Sequence, residues 1–204
     1  MRGPKGKLAL AVTGASGAIY GLRMAQWLSG QGYPFYFTVS SQGKIILKEE
    51  TGIDLREGNE EAALRRAIKD HRRRLSYLDV NDLSAPISSG SSRCPALVVI
   101  PCSMGTLGRI ACGISSNLIE RAADVMLKEG RRLVLVPRET PLNAIHLENM
   151  LRLSRAGACI IPAMPAFYHS PARVEDLIDF VVGKVLDALS IDHTLFRRWK
   201  SGPA

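Results

Sequence analysis

Five short apolar runs, at 7–12, 35–39, 96–101, 133–136 and 158–161, constrain this chain more than any other feature. They are nearly continuous in valine, isoleucine, leucine and alanine. A strand without polar alternation has no face to offer water, so it belongs in a parallel sheet covered on both sides. Helical patterns fill the intervals: 18–29 ending at Gly30, 117–128 ending at Gly130, and 143–155 ending at Gly157, each glycine suiting a helix stop. The clearest period lies at 174–189, where Val174, Leu177, Ile178, Val181, Val185 and Leu189 form one stripe with Lys184 at its edge. This alternation predicts a doubly wound parallel α/β sheet with right-handed crossovers. The stretch 57–92 is the least regular and ends in a serine–glycine loop at 88–92. With no internal repeat and no linker, one domain over 1–204 is expected.

Open sheets of this kind bind ligands at the carboxyl ends of their strands. The first run is followed by Thr13-Gly14-Ala15-Ser16-Gly17, the second by Ser40 and Ser41, and the third by Cys102-Ser103-Met104-Gly105-Thr106. The fourth is followed by Arg138, Glu139 and Thr140, and the fifth by a proline-bounded loop ending in Phe167 and Tyr168. All these exits carry glycine, hydroxyl, charged or phenolic groups, which a sheet built only for stability would not need. The glycine-rich turn opening a helix can hold a phosphate on backbone N–H groups; its bland alternative is a tight turn without a ligand. A nicotinamide enzyme is disfavoured. Ser40, Ser41 and Gln42 stand where an acidic residue holds the ribose, and no tyrosine has a lysine four residues on.

Net charge is +8, which favours anionic partners. The densest basic run, Arg65, Arg66, Lys69, Arg72, Arg73 and Arg74, contains no interleaved aromatic residue; it reads as a solvated helix face rather than a nucleic-acid site. No apolar run reaches the ~20 residues a bilayer span requires, and no secretory signal is apparent, so a cytoplasmic protein is expected. Cys94, Cys102, Cys112 and Cys159 lack zinc spacing and read as free, mostly buried thiols; no metal is expected.

Arg138 can clamp a phosphate with its fork of donors, and Glu139 beside it can move a proton. The alternative for the two is a surface ion pair. Glu50 either faces the same crevice or ends a solvated helix. Arg121 and Lys128 share a helix face that can grip phosphate or simply be solvated. Tyr168 with Lys184 suits a phosphate or diphosphate head group, against an exposed tyrosine and a snorkelling lysine. His71, His146, His169 and His193 read as structural, and Trp27 and Trp199 as packing residues.

The runs 10–18, 101–107, 117–125 and 133–142, together with Pro165-Ala166-Phe167-Tyr168, resemble the flavin prenyltransferases over nearly the whole chain. That resemblance implies a Rossmann-like, flavodoxin-like three-layer sandwich assembling as a homododecamer. It implies reduced FMN as acceptor, dimethylallyl phosphate as donor without metal, bonds formed at flavin N5 and C6, and prenylated FMN delivered to a partner decarboxylase. By the same resemblance, Gly14, Ala15, Ser16, Ser40, Ser103, Met104, Gly105, Thr106 and Arg138 contact FMN. Arg121, Lys128, Arg138, Glu139, Tyr168 and Lys184 surround the prenyl phosphate, some from neighbouring subunits. Ser16 lies near N5, and Glu50 and Glu139 handle protons. The chain departs from the family at 89–92, where an aromatic residue is common and Ser92 stands here.

Two other readings remain at this point. A flavin-dependent cysteine decarboxylase of related fold carries an asparagine-containing clamp, absent from 162–168. A flavin-storage or nucleic-acid-binding protein rests only on the basic run.

Overall fold

The computed structural model describes residues 6–199. The ends of the expected domain, 1–5 and 200–204, lie outside the described residues. Six parallel strands form one sheet: β1 (Leu8–Val12), β2 (Phe35–Val39), β3 (Leu75–Tyr77), β4 (Ala96–Cys102), β5 (Arg132–Pro137) and β6 (Cys159–Ile160). Their order is β3-β2-β1-β4-β5-β6, so the chain winds outward from β1, then returns to β1's other side with β4. The helices are α1 (Ala18–Gln31), α2 (Ser41–Thr51), α3 (Glu60–Ala67), α4 (Met104–Ala111), α5 (Leu118–Lys128), α6 (Ala144–Arg155) and α7 (Val174–Ala188). This is the expected doubly wound, three-layer α/β sandwich.

Period-two geometry divides each strand between two cores. Leu8, Leu10 and Val12 of β1 join Val98, Ile100, Val134 and Val136 beneath α1 and α7. Ala9 and Ala11 join Leu97, Val99, Leu133 and Leu135 beneath α4 and α5. Every residue of β1 and β4 is buried, the physical content of the unbroken apolar runs. No helix among the described residues is long and apolar enough to cross a membrane.

The stretch 57–92 holds more order than its sequence announces. It contains α3, β3 and a short 3₁₀ turn at Pro86–Ser88. Three residues are too few to show a strand period, and the turn into β3 contains no glycine. Lys69 (φ 55°) and Arg73 (φ 50°) take the left-handed conformation instead, and Asp70 replaces the usual turn chemistry. Its buried carboxylate accepts from the Ser29 hydroxyl at 2.7 Å and from the Arg74 and Leu75 N–H groups at 2.9 Å each. Side chains also seal the outer edge of β3. Arg65 donates to the Leu75 carbonyl at 2.7 Å, and Glu61 accepts from the Tyr77 N–H at 2.9 Å, leaving little edge for another strand. Thus Arg65, read as part of a solvated face, covers an edge, whereas Arg66, Lys69, Arg72, Arg73 and Arg74 are exposed.

Two smaller differences concern helix ends and a ring. The first helix runs past Gly30 and is capped at Gly32, whose N–H donates to the Leu28 and Ser29 carbonyls. Trp27 packs on Tyr33, whereas Trp199 is 66% exposed, its ring edge-on to Tyr168.

Candidate active site at the carboxyl ends of the strands

The crevice begins where β1 parts from β4. Thr13, fully buried, donates its hydroxyl to the Pro101 carbonyl at 2.9 Å and accepts from the Ser103 N–H at 2.8 Å. One side chain thereby joins the two strand exits. On either side of β1 the chain repeats a device: Ser40 caps α2 by accepting from the Gly43 N–H, and Ser103 caps α4 by accepting from the Thr106 N–H. Each serine oxygen satisfies one orphan amide of the helix start and leaves the preceding amides facing the crevice. At Gly43 a side chain is excluded, since a Cβ would stand 2.8 Å from the Val12 carbonyl; α2 therefore lies against the β1 exit.

The glycine-rich turn behaves differently from its expected role. Gly17 takes φ 104°, presenting the α1 amides to the crevice. Those amides are held by Glu50, whose carboxylate accepts from Gly17 N–H at 2.9 Å and from Ala18 N–H at 2.9 Å. A helix N-terminus favours an anion, and here the chain supplies its own. With the Gly17 and Ala18 amides occupied, a ligand is left the Gly14 and Ser16 N–H groups of the turn and the first amides of α2 and α4. Arg138 reaches across from β5 and donates to the Ser16 carbonyl at 2.9 Å. Its cation also acts on Tyr20, whose hydroxyl is pushed up by burial and pulled partly back by Arg138. Glu139 is exposed, accepts from the Thr140 N–H at 3.1 Å, and lines a pocket of about 70 Å³ with Arg138, Leu142, Met150 and Met164. Cys102 contributes no nucleophile: burial pushes its thiol up to about 12.

The structure brings Gly14, Ala15, Ser16, Ser40, Glu50, Ser103, Met104, Gly105, Thr106, Arg138 and Glu139 to this end of the sheet. It does not bring Arg121, Lys128 or Lys184 there. Lys128 ends α5 just before β5 starts at Arg132, whereas Arg138 follows the other end of that strand, roughly 20 Å away at the rise of a strand. Arg121 donates to the Ser88 carbonyl at 3.0 Å and pairs with Asp124 at 2.8 Å. Lys128 pairs with Glu129 close to Gly90. Lys184 lies about 15 Å along α7 from its start and pairs with Asp187 at 3.5 Å. Tyr168 stands in the loop after β6, edge-on to His169, Phe180 and Trp199. His146 closes a capping box with Asn143, and His193 pairs with Asp187 at 3.1 Å. His169 stacks on Phe180. A larger pocket of about 520 Å³ lies along the β3 edge, lined by Glu60, Glu61, Arg65, Arg73 and Tyr77, away from these strand exits.

Comparison with known proteins decides what the crevice belongs to. Residues 2–186 match the Flavoprotein family. A flavin prenyltransferase UbiX from Alkalihalophilus pseudofirmus is 50% identical over 94% of this chain and 95% of its own. The chain belongs to the flavin prenyltransferase family. A crystal structure of AnUbiX in complex with FMN and dimethylallyl pyrophosphate superposes on the whole of both chains, at TM-score 0.86 and 40% identity. A dodecameric FMN-dependent UbiX-like decarboxylase from Escherichia coli is 41% identical with TM-score 0.86, covering 96% of this chain and all of that one.

The side chains fit the flavin of this family. FMN offers acceptors, its phosphate and ring carbonyls, and the crevice offers donors: first-turn amides of α2 and α4, the Ser40 and Thr106 hydroxyls, and the Arg138 guanidinium. Sequence reasoning did not single out Thr13, Arg109 or Glu120. A buried threonine at a strand end signals Thr13; nothing local signals the other two, because Arg109 and Glu120 meet only when α4 and α5 pack.

Proposed function

We propose that this chain transfers a dimethylallyl group from dimethylallyl phosphate to N5 and C6 of reduced FMN, making prenylated FMN for a partner decarboxylase. The observation that carries this reading is Arg138 donating to the Ser16 carbonyl while lining, with Glu139, a small and mostly apolar pocket. Reduced FMN supplies the nucleophilic N5 and C6. The chain supplies the rest. Gly14, Ala15, Ser40, Ser103, Met104 and Gly105 shape the flavin cradle, with Thr106 and Arg138 as donors. Ser16, next to the Glu50-bound turn, faces N5. Glu139 protonates the departing phosphate, and Arg138 stabilises its charge as the C–O bond breaks. An allylic centre needs a dry wall, which exposed Met164 and Phe167 are placed to form once covered.

The remaining phosphate-binding side chains are Arg121, Lys128, Tyr168 and Lys184, some of them reaching the site from neighbouring copies in a homododecamer. Two features support this. Arg121 and Lys128 lie together on one face beside the 88–92 loop. The α6 helix exposes Ile145, Leu147 and Leu151 next to the crevice, apolar surface that suits burial against another copy. The reading places a single-domain enzyme in the cytosol, where its free cysteines stay reduced.

The test is an anaerobic incubation with reduced FMN and dimethylallyl monophosphate, followed by mass spectrometry of the released flavin. A flavin one five-carbon unit heavier is expected. Unchanged FMN with this donor and with the diphosphate, from protein that visibly holds flavin, would overturn the proposal.

A further inference from the structure

Arg109 lies one turn after Thr106 on α4, and its side chain is 43% exposed. A free arginine at such a place would sweep many rotamers. This one is tethered. Its Nε donates to Oε1 of Glu120 at 2.5 Å, and the Glu120 side chain is fully buried. The other carboxylate oxygen accepts from the Ser116 N–H at 2.9 Å and the Ser116 hydroxyl at 2.8 Å. Burial alone would raise the Glu120 carboxyl, but the bonds from Arg109 and Ser116 outweigh it and hold it below the usual range. The tethered guanidinium then donates through Nη2 to the Thr106 hydroxyl oxygen at 3.3 Å.

Hydrogen-bond bookkeeping gives this contact a consequence. A guanidinium only donates. Thr106 Oγ1 therefore accepts from Arg109, and it also accepts from the Ser103 hydroxyl at 3.1 Å. Ser103 Oγ accepts in turn from the Thr106 N–H at 3.3 Å. With both lone pairs of Thr106 engaged, its single proton is left over for a group outside the network. Without Arg109, one lone pair of Thr106 would be free, and the hydroxyl could accept from a ligand as readily as donate to it.

We propose that Arg109, tethered by Glu120, is a positioning residue that fixes Thr106 as an obligate hydrogen-bond donor toward an acceptor oxygen of the flavin. The proposal rests on the flavin-binding reading above and deepens it. Arg109 touches neither substrate; it sets the direction of the hydroxyl that does.

The experiment is titration of FMN by flavin-fluorescence quenching on the wild-type chain and on Arg109→Met, Arg109→Lys, Thr106→Val, Thr106→Ser and the Arg109→Met/Thr106→Val double variant. Folding of each is checked by far-ultraviolet circular dichroism. Losing a charge-assisted contact predicts that Arg109→Met and Thr106→Val each raise the Kd about tenfold. The double variant binds no worse than the weaker single, and Thr106→Ser, which keeps the hydroxyl, binds nearly as wild type. Arg109→Lys keeps the charge but not the fork, and weakens binding as Arg109→Met does. At saturating flavin, the KM for dimethylallyl phosphate stays unchanged. FMN binding by either Arg109 variant as tight as wild type, or additive losses in the double variant, would overturn the proposal. A wild-type chain that fails to bind FMN would instead overturn the flavin reading on which it rests.

Discussion

Arg138 and Lys128 flank the two ends of one strand, β5, and the fold uses them differently. Arg138 is drawn inward: its guanidinium crosses to the Ser16 carbonyl, within a crevice already joined by Thr13 and capped by Ser40 and Ser103. Lys128 stays outside, paired with its sequence neighbour Glu129 beside the 88–92 loop. The first end is preorganised by contacts between residues far apart in sequence. The second holds cations in local pairs that a ligand or another subunit can replace at small cost, since exposed pairs contribute little. One end of the sheet is thus held by long-range contacts, and the other by local ion pairs.

The sharpest break of that contrast uses one variant at each end. Glu139→Gln is expected to lower the prenylation rate by about 100-fold or more, the usual worth of a positioned acid, with FMN binding retained; rates of prenylated-flavin formation at saturating flavin measure it. Lys128→Ala is expected to raise the KM for the prenyl donor about tenfold or more. If the two ends meet between subunits, mixing the two variants after dissociation and reassembly restores up to about a quarter of wild-type sites. Mixed oligomers in which no fraction of sites recovers the wild-type KM would place both groups in one subunit and end the comparison.

Stability offers the next test. Thr13→Val keeps the shape but leaves the Ser103 N–H and one lone pair of the Pro101 carbonyl without their partner, so urea denaturation is expected to show a loss of about 2–3 kcal/mol. Asp70 gives a pH signature. Burial raises its carboxyl, but the Arg74 and Leu75 amides and the Ser29 hydroxyl outweigh that and lower it beneath 3.8. A lowered folded-state value means stability present above the unfolded-state value and lost as pH falls through the folded-state one. Asp70→Asn should therefore reduce stability at neutral pH and flatten its fall below pH ~4; an acid limb identical to wild type would remove Asp70 from the account. The smallest effect is expected at Arg66, whose exposed side chain supports no edge: Arg66→Gln should stay within about 0.5 kcal/mol, whereas Arg65→Gln, which uncovers β3, should exceed it in the same melts.

The strands show where legibility in the sequence ends. The runs containing β1, β4 and β5 were visible because burial on both faces forces nearly every position apolar. β3 was hidden because Leu75, Ser76 and Tyr77 are too few to show a period, and because Asp70 replaces the glycine that usually marks a turn. The site divides in the same manner. Glycines, hydroxyls and Arg138 stand directly after apolar runs, so strand topology alone gathered them. That Glu50 seats on the α1 amides, and that Arg109 reaches Glu120, depends on how α2 and α5 pack.

By itself, then, the sequence determined the buried parallel sheet, its winding and the end at which polar groups collect, because those follow from local periodicity and from what each strand leads into. Only the tertiary structure decided which helix starts keep free amides, which hydroxyls are held as donors, and that Lys128 and Arg138 stand a strand's length apart. Those are distances between residues remote along the chain, set by packing rather than by any local pattern.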